Sequence, residues 1–137
     1  SIPSHIGLLW DASASGRKRD HAGELELMDL YFRTMGDGRV DLRLLRDRGI
    51  DGGSFPVRGG DWSALRKALT AVVYDGATDL ADWTPAQAIG EYLLVSDGLQ
   101  NYGTQAMPAL ASNQRLYALA GTAADATRLA ALAEAPR

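Results

Sequence analysis

Apolar residues occur along this chain in two rhythms, short unbroken runs and stripes at helical spacing, and the two alternate. Ile6-Gly7-Leu8-Leu9-Trp10 and Tyr92-Leu93-Leu94-Val95 are unbroken runs of strand length, the form taken by strands buried on both faces of a parallel sheet. From Gly16 to Met35, Leu25, Met28, Phe32 and Met35 recur at helical spacing, with Leu27 and Tyr31 widening the stripe. This predicts one long helix packed on a sheet. Gly36-Asp37-Gly38 ends it, and Val40 to Leu44 then alternates as a half-buried strand does. A turn over Gly49 to Gly53 leads to a short strand, Ser54 to Arg58, whose Pro56 cannot donate to a ladder and so favours an edge.

Asp61 is the expected N-cap of a second helix that buries Trp62, Leu65, Leu69 and Val72 and runs to about Val73. The stretch Tyr74 to Leu80 reads as a loop. Thr84-Pro85 looks like the N-cap and first-turn proline of a short helix ending at Gly90. A strand is expected from Glu91 to Ser96, an irregular segment from Gly98 to Ser112, and another strand from Arg115 to Ala120. Thr122 and Asp125 have capping-box spacing, with Asp in place of Glu, ahead of an Ala/Leu helix reaching about Glu134. Strands alternating with helices indicate an α/β fold around a mostly parallel sheet.

The chemistry collects where two strands end. Asp11-Ala12-Ser13-Ala14-Ser15 follows the first apolar run, and Ser96-Asp97-Gly98 follows the second. In open α/β sheets, ligands sit beyond the carboxyl ends of the strands, near the point where strand order reverses. Asp-x-Ser-x-Ser offers a carboxylate and two hydroxyls from one tight loop, hard oxygen donors of the kind that Mg²⁺, Mn²⁺ or Ca²⁺ prefers. Taken alone, the pentapeptide also fits a helix-capping aspartate followed by two ordinary loop serines.

Composition narrows the field. A chain of 137 residues with 46% hydrophobic content fits one domain with a real core, and a net charge of −3 argues against a general nucleic-acid binder. No apolar segment approaches the ~20 residues that span a bilayer. The absence of cysteine excludes disulfides and thiolate metal sites. Ser1 in place of Met suggests a chain trimmed from a longer one, and the preference for Arg over Lys, with abundant Ala, hints at a GC-rich bacterial source.

Asp11-x-Ser13-x-Ser15, Thr78 in the loop Gly-Ala-Thr-Asp-Leu, and Asp97 in Ser-Asp-Gly together resemble the von Willebrand factor A (VWA) domain and its metal-ion-dependent adhesion site (MIDAS). The wording of Tyr74 to Leu80 is most similar to bacterial VWA domains that follow a vault/inter-α-trypsin (VIT) domain. The resemblance covers nearly the whole chain. It implies a three-layer Rossmann-like sandwich, with one short antiparallel edge strand and helices on both faces. The family's fold usually ends with a further strand and helix, so the last strand is expected to be absent here, the domain being a shortened piece of a longer protein.

Carried over to these positions, the resemblance implies that Ser13 and Ser15 bind the cation through their hydroxyls. Thr78 would bind directly or through water, and Asp11 and Asp97 would hold coordinated waters or the metal itself. A site of mostly neutral ligands leaves a dication incompletely neutralised, so an acidic group of a protein partner completes the shell. The expected function is therefore cation-dependent protein binding of adhesion type, without catalysis. Two alternatives stay open: a Mg²⁺-dependent hydrolase or phosphotransfer enzyme using Asp11, and a structural VWA domain with a vestigial site.

Around the site, Arg17-Lys18-Arg19 can form a positive rim that steers an acidic partner, or can be solvated charge with no role. Trp83, Asn101 and Tyr102 fall in loops expected to flank the site and are candidate partner contacts, although Trp83 can equally pack on the sheet. His5 and His21 lack metal-ligand spacing and read as structural or surface residues. Asp79 can be a supporting neighbour of Thr78 or a plain turn residue.

Overall fold

The computed structural model describes residues 2–77, 83–96 and 109–134. Five strands form one sheet: β1 (His5–Asp11), β2 (Gly38–Leu45), β3 (Gly49–Val57), β4 (Glu91–Val95) and β5 (Arg115–Leu119), in the order β3-β2-β1-β4-β5. β1 pairs in parallel with both β2 and β4, β5 pairs in parallel with β4, and β3 runs antiparallel to β2. The mostly parallel sheet is the one that strands alternating with helices predict. The antiparallel edge strand is the one the resemblance implies, but at nine residues β3 is the longest of the five strands and not a short one. Strand order reverses between β1 and β4, so the carboxyl ends of those two strands flank the crevice in which open α/β sheets place their ligands.

Among the described residues three α-helices, α1 (His21–Met35), α2 (Ser63–Thr70) and α3 (Ala123–Glu134), accompany the sheet. On one face, Ile6, Leu8 and Trp10 of β1 meet Leu27, Met28, Tyr31 and Phe32 of α1, Leu65 and Leu69 of α2, and Leu129 of α3. The opposite face carries Leu9, Tyr92 and Leu94 and is covered by Trp83 and Ile89. Among the described residues no helix is long and apolar enough to cross a membrane.

Four local expectations change. The single helix from Gly16 to Met35 is instead a 3₁₀ turn (Ala14–Lys18) followed by α1, because Arg19 is extended and turned inward while Asp20 caps α1 by accepting from Gly23 N–H at 3.0 Å. The glycine-rich stretch Gly49–Gly53 belongs to β3, where Leu42 lies over Gly52 and leaves no room for a side chain. The second helix is shorter than expected, although Asp61 does accept from Ser63 N–H. The helix expected after Thr84 does not form. Ala86 N–H donates to the Tyr92 hydroxyl, and the Gln114 amide donates to the carbonyls of Ala86 and Ile89, so distant side chains take the groups a helix would have paired.

At the other end, Thr122 and Asp125 form the reciprocal cap expected of them. The Asp125 carboxylate also takes Ala120 N–H, and Arg128 donates to the Ala118 carbonyl, so α3 occupies backbone groups at the end of the edge strand β5. Engaged edge groups are less available for unwanted pairing.

Candidate metal centre

Asp11 closes β1, opposite Leu45 and one residue beyond the Trp10–Val95 pair. Its side chain is buried, and among the described residues three donors converge on it. Oδ1 accepts from Ser13 N–H at 2.9 Å and from Ser13 Oγ at 2.6 Å, while Oδ2 accepts from Ser96 Oγ at 2.6 Å. Ser13 Oγ lies 3.2 Å from Ser15 Oγ. Ser13 is buried and Ser15 exposed, so the oxygens step outward from the sheet end to the surface. One carboxylate and two touching hydroxyls fit the coordination taste of a small hard dication.

The loops from β1 and from α2 are joined here. Asp75 N–H donates to the Ala12 carbonyl and Ala14 N–H to the Gly76 carbonyl, each at 2.9 Å. From the other side, Asp47 accepts Ala77 N–H at 2.8 Å and Arg46 donates to the Val73 carbonyl. The residue before Thr78 is thus held beside the Asp11–Ser15 loop, and Ser96, the residue before Asp97, touches Asp11 itself. Thr78 and Asp97, and with them Asp79, Asn101 and Tyr102, lie outside the described residues.

Two rim expectations are corrected by burial. Trp83 is 4% exposed and packs edge-on against Tyr92, ring centroids 4.8 Å apart, on the face of the sheet opposite the α-helices. It belongs to the core and offers no contact surface. Arg17 and Lys18 are exposed, whereas Arg19 is buried, ion-paired with Glu24 and donating to the backbone carbonyl of Asp11. Ser96, Asp47, Tyr74 and the Arg19–Glu24 pair are participants that sequence reasoning did not single out. One signal for Glu24 was present: it stands one turn before Leu27 and Met28 on the buried stripe of α1, where a carboxylate needs a partner.

Beneath the loop, the Tyr74 ring stacks on His21 at 4.7 Å and its hydroxyl accepts from Trp10 Nε1 at 3.0 Å. Burial pushes the Tyr74 phenol above its ordinary value, and burial does the same for Tyr92. Both phenols keep their protons in the folded state at a pH where the unfolded chain has lost them, so stability falls as pH rises through about 10. The melting temperature should drop between pH 9.5 and 11. The drop should be smaller, relative to the value at pH 8, in a Tyr74→Phe/Tyr92→Phe variant.

Among the described residues no three His, Asp or Glu side chains gather into a metal-sized cluster. The chain matches no family model, and no curated protein matches it in sequence. Among solved structures it is similar to a von Willebrand factor type A protein from Catenulispora acidiphila, with a TM-score of 0.54 and 15% identity. The match covers 94% of this chain and 30% of that one. At that identity the likeness is one of fold: the five-stranded, mostly parallel sheet with its helices is consistent with a Rossmann-like VWA fold, although the three helices among the described residues all lie on one face of the sheet.

Proposed function

We propose that this chain is a protein-interaction module that uses a divalent cation, Mg²⁺ or else Mn²⁺ or Ca²⁺, to engage an Asp or Glu of a protein partner. The observation that carries the reading is the run of oxygens from buried Asp11 through Ser13 to exposed Ser15 at the reversal point of the sheet. Ser13 and Ser15 would bind the ion directly, Asp11 would orient Ser13 and hold bound water, and Thr78 and Asp97 would complete the set. When bound, the ion supplies an open coordination position that takes a carboxylate. The domain would be one part of a longer bacterial protein of the VIT/VWA kind. Arg17 and Lys18, both exposed on the 3₁₀ turn, are suited to attract an acidic partner.

A binding role suits this arrangement better than a nucleophilic one. Ser13 Oγ donates to the Asp11 carboxylate, which also accepts from Ser96, so both carboxylate oxygens are engaged in orienting hydroxyls within the chain.

The test is a metal titration of the melting midpoint after chelation. A hundredfold excess of ion over its dissociation constant should stabilise the wild type by about 2.7 kcal/mol. Asp11→Ala should show no metal-dependent rise. A flat wild-type response to Mg²⁺, Mn²⁺ and Ca²⁺ would count against the proposal. Turnover of phosphoesters that Asp11→Asn abolishes would replace it with the enzymatic alternative.

A further inference from the structure

We infer that Arg19 and Glu24 are positioning residues, a buried strut that sets the conformation of the Asp11–Ser15 loop. Its consequence for metal binding rests on the function proposed above. The guanidinium is gripped from every side. Its Nε and Nη2 donate to the two oxygens of Glu24 at 2.7 and 3.3 Å, and its Nη1 donates to the Asp11 carbonyl. It also lies 5.3 Å from the centroid of Trp10 and 5.4 Å from that of Tyr74. Glu24 is fixed in turn by His21 Nδ1 at 2.9 Å. A Cβ at Gly16 would come within 2.7 Å of the Tyr74 ring and 2.8 Å of Arg19 Nη1, so the far end of the metal loop runs directly across the same group.

The geometry explains why a cation is needed rather than an apolar plug. The peptide between Asp11 and Ala12 is pinned at both polar ends: Ala12 N–H donates to the Leu45 carbonyl at 2.8 Å, and the Asp11 carbonyl accepts from Arg19. Fixing that peptide plane fixes ψ of Asp11, and with it the position from which Ser13 reaches back to the Asp11 carboxylate. Buried ion pairs as a class can often be replaced by apolar residues without loss of stability. What a hydrocarbon cannot supply here is the donor to the Asp11 carbonyl. A rigid donor fork suits that task, since guanidinium can engage Glu24 with one edge and keep Nη1 for the backbone.

The deciding experiment compares the wild type with Arg19→Met/Glu24→Leu, in which neither charge is left unpaired. Three readings are taken on each: melting temperature, Mg²⁺ titration, and hydrogen exchange of the Ser13 amide, which is bonded to Asp11 Oδ1. The expected result is a melting temperature lowered modestly by the lost donor to the Asp11 carbonyl, and by far less than in a variant that leaves one charge of the pair behind. The Mg²⁺ dissociation constant should rise about tenfold, as for other groups that hold a ligand from behind. Exchange at Ser13 should accelerate about tenfold, while Leu8 and Leu93 in the sheet are unchanged. Wild-type values for both Mg²⁺ affinity and Ser13 exchange would overturn the inference.

Should the double variant not fold, Glu24→Gln keeps the volume and one acceptor. It should still speed Ser13 exchange severalfold relative to Leu8, and no change there would be equally fatal. A wild type that ignores Mg²⁺ sinks the metal reading alone, because Ser13 exchange then decides the strut by itself.

Discussion

Glu24→Ala is expected to lower the unfolding free energy by about 3–5 kcal/mol, the cost typical of removing one partner from a buried ion pair. The side chains of Arg19 and Glu24 are 1% and 2% exposed. With Glu24 gone, the guanidinium stays enclosed by Trp10 and Tyr74, without the carboxylate that pairs with it and with little access to water. The first turn of α1 also loses its acidic residue, which the helix dipole favours by a few tenths of a kcal/mol. The Arg33–Asp29 pair on the same helix makes the contrast: its contact is 2.9 Å, but its side chains are 69% and 37% exposed. Arg33→Ala should therefore cost no more than about 0.5 kcal/mol. Urea unfolding of the two variants checks this directly. Equal losses would show that burial is not what makes the first pair matter.

Much of the fold is legible because strands buried on both faces and helices packed on one leave different apolar periods. The runs at Leu8 and Leu93 and the stripe through Met28 and Phe32 could be assigned on that ground alone. The failures occur where a distant group decides. Nothing near Thr84 says that the Tyr92 hydroxyl and the Gln114 amide will claim the backbone of Ala86 and Ile89. Nothing near Gly52 says that Leu42 will cover it in a continuous strand. Local propensity proposes, and tertiary hydrogen bonding overrides it.

In the candidate site, Asp11, Ser13 and Ser15 could be picked out because alternate positions in a tight loop bring their oxygens to one side, and the structure does bring these three together. What supports them was not legible, because a charge or an aromatic ring has two plausible fates and the choice depends on burial. Arg19 reads like Arg17 and Lys18, yet it points inward. Trp83 reads equally as a surface anchor or as a residue packed on the sheet, and burial decides for the core against Tyr92. Glu24 was the readable exception, a carboxylate set in an apolar stripe.

The other large effect is expected from the smallest residue of the central strand. Gly7 interrupts the apolar run of β1 and looks like a weak point, since glycine lowers strand stability and packs nothing. Its register partner on β4 is Tyr92, and a Cβ at position 7 would lie 2.3 Å from two carbons of that ring. The ring cannot swing away cheaply. Its hydroxyl takes Ala86 N–H at 2.7 Å, and Trp83 packs edge-on against it. Gly7 is thus the slot that lets an aromatic side chain lie across the strand. Gly7→Ala should cost about 3 kcal/mol, at the upper end of what overpacking usually exacts. Tyr92→Leu added to Gly7→Ala relieves the clash while losing the hydroxyl bond, so the double variant should unfold at higher urea than the sum of the two single losses allows. Strict additivity would mean that the ring and the missing Cβ do not compete for the same space.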